Sequence, residues 1–342
     1  MGAASHSEPG LILEQAGFPA DGTTVAVVIT TFNQARFLGE AIMSVLAQTR
    51  QADRVIIVDD GSSDDPASVA AQFQKVQLIR QVNRGPSAAR NAGLRCCETS
   101  HIVFLDADDR LLPTALQKGL VCITGRPDCA FVYGGYHVIS ESGHPVGPDR
   151  LWPIEGDAHL VLLRMNPLGP SAVVLYRCKY LLAVNGFDET LRRAEDYDLY
   201  LRIAQRYPIA SYPEVIVEYR RHGQNITNNH CQQLRAVLRV LDLHQDRIAF
   251  NSATNAALKE GRASRRKYYV SRMLDQASID WRARHDIGVL VRDLTQAAWW
   301  SPFITIRVLF GALSRRASKA LPRQIAQWAR RLGGGFCRGG GA

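Results

Sequence analysis

Residues 101–109 read HIVFLDADD, an apolar run that ends directly in three aspartates. A continuous run of β-branched and aromatic residues predicts a strand buried on both faces. Two upstream runs have the same form: VAVVIT at 25–30 continues into TFN, and VIIV at 55–58 continues into DDGS. A buried strand has no need of polar groups at its end. The repeated pattern therefore indicates a ligand site at the carboxyl edge of a sheet.

Helical periodicity separates these three strands. Apolar residues recur at i, i+3 and i+4 through 35–49, and shorter helices are predicted at 66–73 and 86–97, the latter with Pro86 at its first position. A further strand is predicted at 76–82. Strand and helix thus alternate four times in about 100 residues, which predicts an α/β fold with a parallel sheet covered by helices.

The pattern downstream is less regular. We predict strands at 130–139, 171–176 and 215–219, helices at 178–184 and from Glu195, and a Pro/Gly-rich loop at 141–156. Asp198 and Arg202 have the i, i+4 spacing of an ion pair on the Glu195 helix.

Charge divides the 342-residue chain unevenly. Residues 231–342 hold 20 Lys+Arg and 7 Asp+Glu, a net +13, whereas residues 1–230 carry −4. We therefore expect three parts: a flexible tail at 1–22, an α/β domain at 23–230, and a basic helical region at 231–342. The excess charge does not indicate a nucleic-acid partner, because no binding motif accompanies it.

Cysteine usage and hydropathy bear on location. The seven cysteines include no CxxC pair, which favours reduced thiols in a cytoplasmic protein over a disulfide framework or a zinc site. The N-terminal residues do not resemble a secretory signal, and no run of 18 apolar residues predicts a spanning helix.

Asp106 and Asp108 form the most suggestive cluster of the sequence. Residues i and i+2 of an extended turn can project toward the same side and meet one ligand. Mg²⁺ or Mn²⁺ takes oxygen ligands, and one or two protein carboxylates with phosphate oxygens are usual. Such a metal can stabilise a departing diphosphate. A solvated acidic turn that caps the next helix is the alternative.

Other polar clusters have equally plain alternatives. Asp59 and Asp60 could bind a ribose or a base, or could form a common Asp-Gly turn. Arg84 and Arg90 flank the start of a helix, where phosphate binds well, but they could equally be surface arginines.

Two later features could serve catalysis. Glu195 and Asp196 open a helix, where acidic residues are favoured by the dipole, and one of them could instead act as a general base. His222 follows the last strand and could bind a metal or a phosphate, although a single histidine usually does neither.

Taken in order, these segments resemble the family 2 glycosyltransferases, which have the GT-A nucleotide-sugar-binding fold. The resemblance covers about 200 residues, from Val25 to His222. It is carried by the segments VAVVITTFNQ (25–34), RVIIVDDGSSD (54–64), NRGPSAARNAGL (83–94), HIVFLDADD (101–109), NGFDE (185–189), AEDYDLYLRI (194–203) and YRRH (219–222).

The resemblance implies a donor site for a nucleoside-diphosphate sugar, with a UDP-sugar as the favoured donor. Thr31 would lie in the turn that cradles the nucleotide, Asp60 would hold the base or ribose, and Asp106 would face the ribose. The nucleotide-binding residues as a set would be Thr31, Asn33, Asp59, Asp60, Arg84, Arg90 and Asp106.

The resemblance also implies the catalytic groups. Asp108 would ligate Mg²⁺ or Mn²⁺ on the diphosphate, with His222 near that metal. Asp196 would be the base of an inverting transfer, and Glu195 would orient the acceptor. Processive members carry a Gln-x-x-Arg-Trp box and several membrane spans. Neither is found in this sequence, so we expect one sugar to be added per encounter.

The acceptor and the C-terminal region lie outside the resemblance. We expect a hydroxyl acceptor, lipid-linked, in surface polysaccharide or glycolipid synthesis at the inner face of a membrane. The segment AAWWSPFITIRVLFGALSRRASKAL (297–321) suits either peripheral contact with an anionic membrane or packing on the catalytic domain. A sugar nucleotidyltransferase and a non-catalytic nucleotide-sugar-binding protein remain as alternative functions. The former expects a glycine-rich loop after the first strand, which this chain lacks.

Overall fold

A computed structural model describes residues 23–247, 251–306 and 308. The tail predicted at 1–22 and residues 309–342 of the predicted basic region lie outside the described residues. The strands are β1 (Val25–Thr31), β2 (Arg54–Asp59), β3 (Gln77–Arg80), β4 (His101–Asp106), β5 (Arg110–Leu111), β6 (Phe131–Ser140), β7 (Val174–Arg177) and β8 (Ile209–Arg221).

Ten α-helices accompany these strands within the described part of the chain. They are α1 (Ala35–Leu46), α2 (Pro66–Ala70), α3 (Pro86–Arg95), α4 (Ala115–Thr124), α5 (Ala158–Arg164), α6 (Cys178–Ala183), α7 (Glu195–Ala204), α8 (His230–Arg247), α9 (Ser252–Arg284) and α10 (Ile287–Trp300).

The eight strands form one sheet in the order β3-β2-β1-β4-β7-β6-β8-β5. Strands β1 to β4 pair with one another in parallel, and β6 is parallel to β8. The pairings of β4 with β7, β6 with β7 and β5 with β8 are antiparallel. The predicted α/β class and the parallel β1–β4 half are confirmed, and the other half is mixed.

Strand β1 lies between β2 and β4 in the parallel half of the sheet. Every residue of β1 is buried, as the uninterrupted apolar run predicts. Helix α3 approaches this strand closely because it presents Gly93. A Cβ atom added at Gly93 would lie 2.3 Å from Cγ1 of Val28, well inside van der Waals contact. The close approach packs the last turn of α3 against the middle of β1.

Register brings the polar strand ends together. Thr31 of β1 pairs with Asp59 of β2, and Thr30 pairs with Asp106 of β4. The carboxyl ends of three adjacent strands therefore meet at one edge of the sheet, as the sequence pattern indicates.

Two elements differ from the sequence expectation for identifiable reasons. Strand β8 begins at Ile209 rather than 215, because it continues past Pro213 through register shifts opposite Tyr133 and Gly135. Helix α4 was not predicted, since an internal Gly119 and β-branched residues weaken its propensity. Tertiary packing compensates: a Cβ at Gly119 would lie 3.1 Å from Leu175.

The chain divides into two compact units. One comprises the described residues up to Asn225 together with Val240–Ala257, and the other comprises Ile226–Arg239 and the described residues from Leu258 onward. The predicted domain boundary at 230 stays a prediction. No helix in the described ranges is both long enough and apolar enough to cross a bilayer.

The second unit is helical. The indole Nε1 of Trp300 donates to Sγ of Cys231 at 3.4 Å, which joins α10 to the start of α8. Leu290, Leu294 and Ala297 are the buried residues of α10. Trp299 and Phe303, by contrast, are 70% and 74% exposed.

Candidate active site

Two buried aspartates organise the turn after β2. The Asp60 carboxylate accepts hydrogen bonds from the backbone N–H groups of Arg84 and Gly85, at 2.9 and 2.8 Å, and from the side-chain amide of Gln81 at 2.7 Å. Asp59 accepts from the backbone N–H of Ser62 and pairs with Arg80. Most of the acceptor capacity of Asp60 is thus used to shape the turn that opens α3, whereas Asp59 holds the turn after β2 and pairs with β3.

The turn after β1 is fixed by Asn33, which has a left-handed φ of 53°. Its side-chain oxygen accepts from the backbone N–H and the hydroxyl of Ser63. The adjacent Thr31 hydroxyl is buried and has no hydrogen-bond partner among the described residues. A buried hydroxyl without a partner is costly, so this group stands out at the edge where the ligand site is predicted.

The two predicted arginines lie in different environments. The Arg84 side chain is 60% exposed and pairs with Glu189 at 2.6 Å. Arg90 is only 5% exposed and is surrounded by carboxylates. The structure therefore places Arg84 on the surface and Arg90 inside the site.

The Arg90 guanidinium joins separate elements of the fold. It pairs with Glu195 at the start of α7, and its Nη2 lies 2.8 Å from Oδ1 of Asp106 at the end of β4. The same nitrogen donates to the hydroxyl of Ser171 at 3.3 Å. Burial alone would lower the pKa of Arg90, but the charges of Asp106 and Glu195 raise it above its usual value. Arg90 is therefore a permanent cation.

The acidic pair at the start of α7 is close to this cation. The chain enters the helix through Ala194, whose φ is 56°. Glu195 is 8% exposed and bound to Arg90. Burial, followed by the charge of Glu195, raises the pKa of Asp196 to about 7. A carboxylate with a pKa near neutrality has the proton affinity that suits a general base.

Asp108 and His222 form a second polar pair. His222 Nε2 lies 2.9 Å from Oδ2 of Asp108, and Asn225 donates to the same oxygen at 3.2 Å. The backbone N–H of Gln224 can only donate, so Nδ1 of His222 accepts it and the ring of a neutral His222 donates from Nε2. His222 is thereby an orienting partner of Asp108.

The residues present fit a divalent metal held by few protein ligands. The Asp108 side chain is 12% exposed, and only its Oδ2 is engaged by His222 and Asn225. Among the residues that the structure describes, no group of three or more His, Cys, Asp or Glu side chains is arranged around a common point. A site completed by phosphate oxygens and water needs no such group.

Arg220, which the sequence did not single out, holds the aspartate turn from behind. Its side chain is 1% exposed and stacks over the ring of Phe37. Its backbone N–H donates to Asp109, its Nε donates to the carbonyl of Asp108, and its Nη2 pairs with Glu40. Burial along β8 does not alternate with period 2, so the pattern of this strand does not mark Arg220 as a buried residue.

Asp109 is the second residue that the sequence did not single out. It is 1% exposed, and its Oδ2 has no hydrogen-bond partner in the described ranges. Burial, followed by the charges of Asp108 and Asp106, raises the pKa of Asp109 well above its usual value. The turn therefore holds one carboxyl group with a strong tendency to stay protonated.

This geometry has the features of an α/β enzyme with its site at the carboxyl edge of parallel strands. Residues 26–175 match the family model described as glycosyl transferase family 2. The match covers the part of the α/β domain from β1 to β7, and it confirms the resemblance seen in the sequence.

Curated relatives agree with the family match. An uncharacterized glycosyltransferase of Rickettsia conorii is 30% identical over 204 residues, which cover 59% of this chain and 33% of the relative. Chondroitin synthase of Escherichia coli is 28% identical over 210 residues, 59% of this chain and 29% of the relative. The matched segment thus spans about a third of the length of these two relatives.

Solved structures confirm the GT-A fold. Residues 1–349 of Staphylococcus aureus TarS, in complex with UDP-GlcNAc, superimpose with a TM-score of 0.53 at 13% identity, over 90% of this chain and 88% of that one. The mannosyltransferase PcManGT of Pyrobaculum calidifontis, in complex with GDP-Man and Mn²⁺, gives a TM-score of 0.58 at 14% identity, over 95% and 91% of the two chains.

Proposed function

We propose that this protein is an inverting glycosyltransferase that moves one sugar from a nucleoside-diphosphate sugar to a hydroxyl of an acceptor. One observation carries the proposal: a single buried guanidinium, that of Arg90, joins Asp106 at the predicted donor edge to the acidic pair that opens α7. A proton acceptor and a nucleotide-facing carboxylate are therefore held within one cluster.

The chemistry follows from inversion. The acceptor hydroxyl must attack the anomeric carbon from the side opposite the leaving nucleoside diphosphate, and its proton must be taken up as the bond forms. Asp196 would accept that proton, and its pKa of about 7 suits the task. Glu195 is bound to Arg90, so it would shape the acceptor side without removing the proton itself.

The donor side would be formed by Thr31, Asn33, Asp59, Asp60, Arg84 and Asp106. Thr31 brings an unpartnered hydroxyl, and Asp106 a side chain that is 37% exposed. Asp108 would hold Mg²⁺ or Mn²⁺, with His222 orienting the carboxylate. The metal, when bound, would neutralise charge on the departing diphosphate.

The two structural neighbours carry UDP-GlcNAc and GDP-Man, which supports a nucleotide-sugar donor without choosing the base. We propose a UDP-sugar as the first donor to test. The Asp60 carboxylate accepts hydrogen bonds from three N–H groups. It has room for one further donor, such as a ring N–H of the base.

The second unit supports contact with an anionic membrane and hence a lipid-linked acceptor. Trp299 and Phe303 are exposed, and residues 231–342 carry a net charge of +13. Basic residues contribute about 1 kcal/mol each near an anionic surface, and the cytoplasmic leaflet carries such lipids. We therefore propose a role in surface polysaccharide or glycolipid synthesis at the cytoplasmic face.

The activity can be tested in two steps. The first is a thermal-shift screen of UDP, GDP and their sugars with and without Mn²⁺, because a ligand that binds only the folded state stabilises it. The second incubates the stabilising donor with a hydroxyl acceptor and measures released nucleoside diphosphate.

Asp196→Asn is the matched control for both steps. It should retain the shift given by the donor and lose turnover, because it removes the base without touching the donor edge. The absence of any donor shift or any turnover by the wild-type protein would contradict the proposed function.

A further inference from the structure

Arg90 has almost no surface left for a nucleotide. Its Nη1 donates to Glu195, and its Nη2 serves both Asp106 and Ser171. Only 5% of the side chain is exposed. The ring of Phe187 lies 5.6 Å below the guanidinium carbon and closes that face. The contact with a nucleotide that the family resemblance implied is thus not what this geometry provides.

The contacts of Arg90 instead join four parts of the fold. Arg90 belongs to α3, Asp106 ends β4, Ser171 precedes β7, and Glu195 opens α7. The Ser171 hydroxyl is itself fixed, since it donates to the carbonyl of Phe104. A planar guanidinium with several donors in a rigid fork can hold such a set, whereas a lysine ammonium cannot reproduce the angles.

The start of α7 needs an anchor of this kind. Ala194 occupies a left-handed conformation that is strained for a non-glycine residue. Ala194 makes no side-chain cap at the helix start. The ion pair of Glu195 with Arg90 ties this turn to the sheet, and Asp196 is the next residue. The orientation of Asp196 therefore depends on the ion pair between Glu195 and Arg90.

We propose that Arg90 is a positioning residue, whose guanidinium clamps Glu195 against Asp106 and so aims the Asp196 carboxylate at the donor edge. This inference rests on the proposed transferase function. It assigns to Arg90 the role of orienting a catalytic group, and not that of binding the donor or the acceptor.

The clamp also sets the charge around Asp196. The groups that face Asp196 are Glu195, Arg90 and Asp106, with the phenols of Tyr176 and Tyr200. Removal of the Arg90 cation leaves the carboxylates uncompensated, so the site takes up its first proton at higher pH. Removal of the Glu195 charge acts in the opposite direction, because that charge raises the pKa of Asp196.

The kinetic test compares Arg90→Lys and Arg90→Met with Arg95→Met. Arg95 lies on the same helix and is 60% exposed, so its variant controls for changes in α3. We expect Arg90→Lys to lower kcat by about 10²-fold while the donor KM changes little, since misplacement of a reacting group costs about this much. Arg90→Met should lose more. A raised donor KM with unchanged kcat would make Arg90 a nucleotide ligand and overturn the proposal.

A second readout does not depend on turnover. Selective ¹³C labelling of aspartate carboxyls reports the titration of Asp196, which Asp196→Asn assigns by the loss of one signal. We expect Arg90→Lys to leave the titration near that of the wild type, Arg90→Met to move it to higher pH, and Glu195→Gln to move it lower. Shifts of Arg90→Met and Glu195→Gln in the same direction, or no shift in either, would refute the clamp.

The two readouts separate the inference from the function on which it rests. If the wild-type protein transfers no sugar, the proposed function fails, and the carboxyl titration still decides whether the Arg90 clamp exists. If Arg90→Met does not fold, Arg90→Lys keeps the charge and carries the kinetic test.

Discussion

Replacement of Asp196 by asparagine should make the protein more stable and inactive. Burial and the charge of Glu195 raise the pKa of Asp196 from 3.8 to about 7. The folded state therefore holds a proton on Asp196 between these values, where the unfolded state does not. The stability that this proton contributes is fully present below pH 3.8 and is lost as the pH rises to about 7. Asparagine keeps the shape of the neutral acid and does not ionise, so the variant does not lose this stability as the pH rises.

The magnitude follows from the same values. Each pH unit over which only the folded state is protonated is equivalent to about 1.4 kcal/mol. The stability advantage of Asp196→Asn should therefore grow by roughly 3 kcal/mol at most between pH 5 and pH 8. For a domain of this size, each kcal/mol corresponds to about 2–4 °C in Tm.

The assay is thermal unfolding of the full chain at pH 5, 6, 7 and 8, with wild type and Asp196→Asn side by side. Glu98→Gln, which removes a side chain that is 77% exposed, is the control and should show no widening gap. The activity of Asp196→Asn should fall by about 10²- to 10⁴-fold at pH 8. A gap that stays constant with pH, or an asparagine variant that is less stable at pH 8, would refute the reasoning.

Four further outcomes are expected. Gly93→Ala should destabilise the first unit by about 1–3 kcal/mol in urea unfolding, because the new Cβ meets Val28, and Val28→Ala in the same chain should recover part of the loss. Asp108→Ala should abolish the Mn²⁺-dependent part of the donor-induced thermal shift; an unchanged shift removes Asp108 as metal ligand. Arg220→Met should lower stability by about 1–3 kcal/mol, since it removes the side-chain donors to the carbonyls of Asp108 and Glu141, and an unchanged stability would contradict its role. The double variant Trp299→Ser, Phe303→Ser should float less than the wild-type chain with vesicles that contain anionic lipid. Equal flotation would contradict a role of these two side chains in membrane contact.

The parallel half of the sheet could be predicted because its signal is local. Strands β1, β2 and β4 are buried on both faces, so each is an unbroken apolar run that a short window reveals. Strand β8 begins before Pro213, although proline ordinarily ends a strand, because β8 pairs with β6 on both sides of this residue. Asp198 and Arg202, an i, i+4 pair, are correctly predicted and lie 2.7 Å apart.

The sequence predicts several of the polar residues that the structure brings together, but it does not predict which of their atoms meet. Asp106, Arg90 and Glu195 are far apart in sequence, and the motifs that contain them indicate a shared site without saying which atoms meet. Arg220 and Asp109 could not be inferred with confidence from composition, because the burial of a charge depends on tertiary neighbours. The exposed Arg84 and the buried Arg90 are indistinguishable in sequence, although only one of them lies inside the cluster.

The hydrogen bonds that Asp60 makes have a practical consequence for redesign of donor choice. Two of its three partners are main-chain N–H groups, those of Arg84 and Gly85, and every residue other than proline supplies one. Val82, Asn83 and Arg84 have exposed side chains that these two bonds do not use. A library that randomises positions 82–84 without proline would therefore vary the chemistry beside the proposed nucleotide site while the anchoring of α3 stays intact. Asp60 can therefore keep its two main-chain hydrogen bonds while the side chains of this loop change.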